Sequence, residues 1–138
     1  MRLKGRIQRV DLATGKFERL YDHVGEHKLS GPNDIVFDKS GAFWFTDLGK
    51  WRPRVKERGG LYYAKPDGSF IQQAIFPLER PNGCGLSPDE KTLYVVETPT
   101  ARVWSFTLSA PGEIESANGP YRGEKGRCLA GLGGYQMF

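Results

Sequence analysis

The chain is dominated by short stretches in which apolar and polar residues alternate. Three of these stretches are 5–15, 60–68 and 101–108. Alternation with a period of two places every second side chain on one face, which is the pattern of a half-buried β-strand. The first two stretches end in the turn sequences Ala-Thr-Gly and Pro-Asp-Gly and are followed by alternating runs at 16–20 and 69–76. No segment shows a sustained 3.6-residue apolar period, so the sequence predicts an all-β fold with essentially no helix.

Two longer segments repeat the same plan. Residues 32–47 and 81–98 each run through Pro-Asn, a short apolar strand, a polar turn, an aromatic-rich strand and an acidic residue. The offset is 49 residues between Asn33 and Asn82 and 50 residues between the second strands, so one residue is inserted at the turn. Four short strands recurring over about 45 to 55 residues indicate a β-propeller blade. A β-sandwich with a coincidental repeat is the alternative, but sandwiches do not usually repeat a Pro-Asn register.

The chain length sets how much of a propeller can form. Blades take about 40 to 50 residues and propellers close with about four to eight blades, so 138 residues supply about three. We predict one incomplete propeller domain over 1–138, with blade-like repeats at roughly 1–48, 49–98 and 99–138. Blades without neighbours would expose apolar faces. We therefore expect a fragment of a longer ring, or two copies that associate to cover the open edges.

Composition and charge exclude several classes of protein. Apolar residues make up 38% and aromatics 12%, which excludes a disordered chain. The net charge of +4 is not gathered on a helix, and the densest basic stretch, 50–58, contains a proline and a glutamate. We interpret that stretch as a solvated loop and expect no nucleic-acid partner. No apolar run is as long as a membrane span and no signal-peptide core is present, so we expect no membrane partner and a cytoplasmic location.

The only cysteines, Cys84 and Cys128, show no metal-binding spacing. Two isolated thiols are typical of a reducing compartment, with a single disulfide as the alternative.

The two Pro-Asn segments resemble the regucalcin/gluconolactonase family of sugar lactonases. The matching residues run from Gly31 to Asp47 and from Arg80 to Thr98, and the likeness extends over nearly the whole chain. The resemblance implies a six-bladed propeller, of which this chain would supply about three four-stranded blades. It also implies metal-dependent hydrolysis of a small sugar lactone. Finally, it implies that Asn82 is a direct metal ligand and that Asn33, its equivalent one blade earlier, binds the metal or a metal-bound water.

Residue chemistry is consistent with this implied metal site. A hard cation takes carboxylate and amide oxygens, and a neutral asparagine ligand leaves the ion enough positive charge to act as a Lewis acid. The resemblance implies one divalent ion, with Ca²⁺ favoured and Zn²⁺, Mn²⁺ and Mg²⁺ as alternatives. The family's glutamate ligand matches nothing here, and its aspartate general base is expected beyond Phe138. We therefore expect the isolated chain to bind metal weakly and to be inactive.

Other candidate residues carry weaker signals. Each asparagine alone could instead cap a turn by hydrogen-bonding its own backbone. Asp47 and Glu97 follow the second strand of each repeat and are expected to cap turns or lie on the surface rather than reach a channel. Asp34 has a glycine as its repeat equivalent, so the repeat does not require an acid there. His23 and His27 are four residues apart, but the glycine between them argues against a zinc pair on a helix.

Two other functions share parts of this pattern. One is a non-catalytic propeller that binds a ligand or calcium in the same channel and needs no general base. The other is a strictosidine-synthase-like propeller, whose blades carry similar Leu-Tyr-Val-x-Glu-Thr strands; the paired Pro-Asn motifs favour the lactonase. The lactonase interpretation requires that the amide oxygens of Asn33 and Asn82 converge on a common central cavity.

Overall fold

The structure is a computed structural model that describes residues 5–115 and 126–131. Within these ranges the regular structure is entirely β, with no helix, which confirms the predicted fold class. The strands are β1 (Ile7–Val10), β2 (Phe17–Tyr21), β3 (His23–Val24), β4 (His27–Lys28), β5 (Pro32–Phe37), β6 (Phe43–Asp47), β7 (Trp51–Arg52), β8 (Val55–Lys56), β9 (Gly59–Ala64), β10 (Ile71–Leu78), β11 (Pro81–Leu86), β12 (Thr92–Glu97), β13 (Arg102–Ala110), β14 (Glu113–Ile114) and β15 (Arg127–Gly131).

The first complete sheet has four antiparallel strands in the order β10-β9-β6-β5. Every residue of the two central strands, β6 and β9, is buried. Both faces of this sheet are covered by other parts of the chain, so β6 carries the continuous apolar run Phe43-Trp44-Phe45 instead of a strict alternation. The edge strand β5 carries Asn33 at its second position.

The second sheet repeats this plan one blade later. Strands β11, β12 and β13 pair in chain order, and β13 pairs further with β14 and β15. Its first strand, β11, corresponds to β5 and carries Asn82. Strand β15 could not be predicted from the sequence, because Arg-Cys-Leu-Ala-Gly lacks a clear alternation. Strands β1 and β2 form a separate hairpin before the first sheet.

Two apolar clusters join these layers through opposite faces of the first sheet. Trp44 is completely buried against the second sheet, with its ring centroid 4.8 Å from that of Tyr63. Phe43 and Phe45 point the other way and pack with Tyr21 of the β1–β2 hairpin. Alternate residues of β6 therefore pack into different clusters. As a result the hairpin and the two sheets stack face to face, in the manner of propeller blades.

Some apolar side chains of the stacked sheets remain exposed. Ile35 and Phe37 are exposed on β5, and Tyr94 and Val96 on β12. In a closed propeller such faces are covered by the next blade. Self-association as a way of covering them stays a prediction.

The sheet limits are offset from the repeats read along the sequence. The sheets run from 32 to 78 and from 81 to 131, whereas repeat boundaries near residues 48 and 98 fall after the second strand of each sheet. A periodic sequence can be divided at any point of its period, so both descriptions contain the same repeat. The assignment of 1–138 to one domain stays a prediction.

Two segments interpreted as loops contain short hairpins. Within 50–58, β7 pairs with β8 across a two-residue turn, and its side chains are exposed as expected of a solvated segment. The two histidines lie on a second hairpin, β3–β4, whose turn begins with Gly25 at φ 55°. Strands of two residues are too short to show alternation, so the sequence pattern could not reveal them.

Candidate metal centre on the inner strands

The two asparagines predicted from the Pro-Asn repeat meet in the structure. Asn33 and Asn82 are exposed residues at the second positions of β5 and β11, and Asn33 Nδ2 donates a hydrogen bond to Asn82 Oδ1. They are 49 residues apart in the chain, so their contact results from the stacking of the two sheets. The two side chains therefore meet, while the convergence of both amide oxygens on a central cavity and their role as metal ligands stay predictions.

The orientation of the two carboxamides bears on whether they suit a cation. Asn82 Nδ2 donates to Thr98 Oγ1 at 3.0 Å, and Asn33 Oδ1 has no hydrogen-bond partner among the described residues. Half a rotation of the Asn33 carboxamide exchanges its oxygen and nitrogen. Two carbonyl oxygens would then lie side by side, and they would repel each other unless a cation lay between them. Neutral oxygen donors of this kind fit a hard divalent cation.

Thr46 and Asp34 join the two inner strands directly beside the asparagines. The Thr46 hydroxyl donates to the backbone oxygen of Asn82 at 2.6 Å and accepts from Asp34 N at 3.2 Å. The Asp34 carboxylate in turn accepts from Cys84 N at 2.8 Å. Burial, together with this carboxylate, raises the pKa of the Cys84 thiol to about 12. Asp34 is therefore engaged in bridging the strands.

From the sequence, Asp34 was noted only as a departure from the repeat, and Thr46 was not considered. A signal was nevertheless present, because both depart from the internal repeat: Gly83 stands at the equivalent of Asp34, and Val96 at the equivalent of Thr46. A polar residue in only one of two repeats suggests a contact made at one blade junction.

Asp47 is buried and caps the chain segment that leads into β5. Its side chain is 3% exposed. Its carboxylate accepts hydrogen bonds from Ser30 N and Gly31 N, both at 2.7 Å, and from Gly49 N at 2.8 Å. The turn-capping interpretation is confirmed, and the surface alternative is wrong, because these backbone groups enclose the carboxylate.

Glu97 plays the corresponding part before β11. It is also 3% exposed, and it accepts from Glu79 N and from Thr100 Oγ1, both at 2.6 Å. The two acids of the repeat therefore share a structural role in holding the approach to an inner strand.

The described residues offer no metal centre built from ionisable side chains. Within 5–115 and 126–131, no group of three or more His, Cys, Asp and Glu residues is placed to hold a metal ion. His23 instead contacts the Asp22 carboxylate at 2.5 Å, and Cys84 and Cys128 are free thiols. The same part of the chain contains no helix long and apolar enough to cross a membrane. Residues 132–138, after which the general-base aspartate is expected, lie outside the described residues.

The stacked four- and five-stranded sheets, each with an asparagine on its first strand, define a partial β-propeller whose inner strands bring two carboxamide side chains into contact. Residues 1–131 match the family model described as the SMP-30/gluconolactonase/LRE-like region. The chain belongs to this family, which confirms the resemblance seen in the Pro-Asn segments.

Relatives of known name and structure agree with this assignment. The chain is 33% identical over 115 residues to a gluconolactonase of Zymomonas mobilis, covering 77% of this chain and 32% of that protein. It is 42% identical over 80 residues to a lactonase of Staphylococcus saprophyticus, covering 58% of this chain and 24% of that protein. The solved structure of a gluconolactonase from Xanthomonas campestris matches with a TM-score of 0.66 at 31% identity, covering 80% of this chain and 40% of that one. The chain thus spans well under half the length of these relatives, consistent with a partial propeller.

Proposed function

We propose that this chain forms part of a complete propeller that hydrolyses a small sugar lactone with the help of a divalent metal ion. The observation that carries the proposal is the contact between the Asn33 and Asn82 side chains at the inner strands of adjacent sheets. Relatives named gluconolactonase and lactonase support the reaction class.

The roles of the residues follow from their chemistry. Asn33 and Asn82 would hold the ion through their side-chain oxygens, with Ca²⁺ favoured over Zn²⁺, Mn²⁺ and Mg²⁺. A bound divalent ion supplies Lewis acidity toward the lactone carbonyl. Thr46 and Asp34 keep the two asparagines at a constant separation by tying their strands together.

Hydrolysis also requires a base for the attacking water. The water oxygen bonds to the carbonyl carbon, the ring C–O bond breaks, and the proton reaches the departing alcohol oxygen. The resemblance gives the base to an aspartate expected beyond Phe138. We expect the isolated chain to show little hydrolysis and weak metal binding, because two neutral amides provide no charge neutralisation for a divalent ion.

The test compares the isolated chain with the complete propeller that carries it. Hydrolysis of gluconolactone is followed by proton release in Ca²⁺, Zn²⁺, Mn²⁺ or Mg²⁺, and again after treatment with EDTA. We expect activity only in the complete protein, lost with EDTA and reduced at least tenfold in Asn33→Ala and Asn82→Ala. Gln8→Ala, an exposed change on the β1–β2 hairpin, is the matched control.

Each contrary result has a distinct meaning. Activity that survives EDTA, or an unaltered Asn82→Ala variant, would overturn the metal-dependent mechanism. Metal binding to the asparagines without hydrolysis of any sugar lactone would instead identify a non-catalytic propeller.

A further inference from the structure

Two buried acids occupy equivalent places in the two sheets, next to the candidate ligands. Asp47 ends β6 and Glu97 ends β12. Each lies opposite the proline that immediately precedes an asparagine, since Pro32 pairs with Asp47 and Pro81 pairs with Glu97. The same geometry therefore recurs one blade apart, with a carboxylate one ladder position from each asparagine.

At the first of these places the backbone is held from several sides. Asp47 accepts from Ser30 N and Gly31 N, and the backbone oxygen of Gly31 accepts from Leu48 N at 2.9 Å. A Cβ atom on Gly31 would lie 3.3 Å from the backbone oxygen of Gly49, which leaves little freedom for the segment to shift. The path into β5 is thus held by the Asp47 carboxylate together with a backbone hydrogen bond and close packing.

At the second place the held segment is strained. Arg80 has φ 51°, a left-handed conformation that residues with a side chain rarely adopt. The hydrogen bond from Glu79 N to Glu97 holds the residue just before it. Loss of that acceptor would remove the restraint on the Glu79 backbone, and we expect the first residues of β11 to shift.

We propose that Asp47 and Glu97 are positioning residues that set the separation of the Asn33 and Asn82 side chains. Each carboxylate fixes the approach to one inner strand, and the asparagine follows within three residues of the hydrogen-bonded amides. The consequence for metal binding rests on the proposed function, whereas the effect on the contact between the asparagines does not.

Replacing the carboxylate with the corresponding amide should have different effects at positions 47 and 97, because the hydrogen-bond patterns there differ. At position 47, Oδ1 accepts from Gly31 N and Gly49 N while Oδ2 accepts from Ser30 N. An asparagine there must turn its NH₂ group toward at least one N–H donor, whichever way it rotates. Asp47→Asn therefore displaces the segment before Asn33.

At position 97 a glutamine can satisfy both partners. Its oxygen can accept from Glu79 N while its NH₂ group donates to Thr100 Oγ1, since a hydroxyl can also accept. Glu97→Gln should therefore leave the asparagine contact intact, while Glu97→Leu removes the acceptor and should break it.

The test measures the contact in the metal-free chain and metal affinity in the complete propeller. Asparagine-selective NMR labelling follows the nuclear Overhauser contact between the Asn33 and Asn82 side chains. We expect Asp47→Asn and Glu97→Leu to abolish that contact and Glu97→Gln to retain it. In the complete protein, the first two variants should raise the metal dissociation constant at least tenfold.

Asp38→Asn separates positioning from stability. Asp38 also accepts backbone and hydroxyl hydrogen bonds, from Ser40 N and Tyr63 Oη, but it directly follows β5, at the opposite end of that strand from Asn33. It should lower stability without breaking the contact and should change the dissociation constant less than twofold. Where Asp47→Asn does not fold, Asp47→Glu keeps the charge but lengthens the side chain, and it should also raise the dissociation constant.

The outcomes distinguish the two proposals. An unchanged contact in Asp47→Asn and Glu97→Leu, or an Asp38→Asn variant that raises the dissociation constant equally, would overturn the positioning role. Loss of the contact in a protein whose parent binds no metal would support the positioning role and contradict the metal site.

Discussion

Replacing Thr46 with valine tests how the two sheets are held together at the candidate site. Thr46 is completely buried. Its hydroxyl accepts a hydrogen bond from Asp34 N and donates one to the backbone oxygen of Asn82. Both groups lie where the strand register is irregular, between Pro32 and Ile35 in β5 and between Pro81 and Cys84 in β11. The regular ladder is interrupted there, so the side chain supplies the bridging contacts. Valine keeps the shape of threonine but offers neither donor nor acceptor.

The expected loss of stability comes from two backbone groups, Asp34 N and the backbone oxygen of Asn82, which lose their hydrogen-bond partner in the variant. Each partly buried backbone group without a partner costs about 1–3 kcal/mol, so the two together should lower the free energy of unfolding of Thr46→Val by about 2–6 kcal/mol. No cavity term is added, because the two side chains have nearly the same volume. Thr46→Ser is the matched control, since it keeps the hydroxyl and removes one methyl group, at a cost of about 1 kcal/mol.

Equilibrium unfolding in urea, followed by tryptophan fluorescence, measures both variants. The denaturant midpoint should fall further for valine than for serine, with similar m-values. A valine variant at least as stable as the serine variant would refute the reasoning, because the hydroxyl would then contribute nothing to the junction between the sheets.

Three further predictions concern the core and the ionisable groups. Leu93→Ala, at a completely buried position between the sheets, should cost about 2–5 kcal/mol in urea unfolding, whereas Leu12→Ala, at a 95% exposed position, should stay within about 0.5 kcal/mol; equal losses would contradict the packing described. Ellman's reagent at about pH 8 should modify exposed Cys128 at least tenfold faster than Cys84, because burial raises the pKa of Cys84 to about 12 and leaves little thiolate; a Cys84→Ser variant that retains the slow phase would argue against this. Burial and a nearby carboxylate raise the pKa of Tyr62 to about 12, above the ordinary 10.0 of the unfolded chain. Its contribution to stability is therefore complete below about pH 10 and is lost as the pH rises toward 12. Tyr62→Phe should show a smaller loss of stability across that range, and an unaltered alkaline profile would contradict the assignment.

Most of the secondary structure could be predicted from the local alternation of apolar and polar residues. The alternating stretches correspond to β1, β2, β9, β10 and β13, and the Pro-Asn segments to the paired inner strands. These elements could be predicted because each strand must present apolar side chains to one face or both, and that requirement is visible over five or more residues. The two-residue strands of the β3–β4 and β7–β8 hairpins fall below this limit.

The candidate site was only partly visible in the sequence. Asn33 and Asn82 stood out because they share a register in the repeat, and their side chains do meet. Asp34 and Thr46 could not be recognised as bridging residues, because the backbone groups with which they form hydrogen bonds belong to β11 and are distant in the chain. The acids Asp47 and Glu97 were visible as repeat partners, but nothing local indicated that both are buried or which amides they accept.

The sequence by itself determined the all-β class, the blade period, and the pair of asparagines whose chemistry suits a cation. Those properties depend on residue type and spacing along one strand or one repeat. Only the tertiary structure decided which carboxylates bridge and cap the inner strands and which faces of the sheets remain open. A hydrogen bond between residues about 50 positions apart depends on how two sheets stack, and a single sequence does not encode that distance in any local pattern.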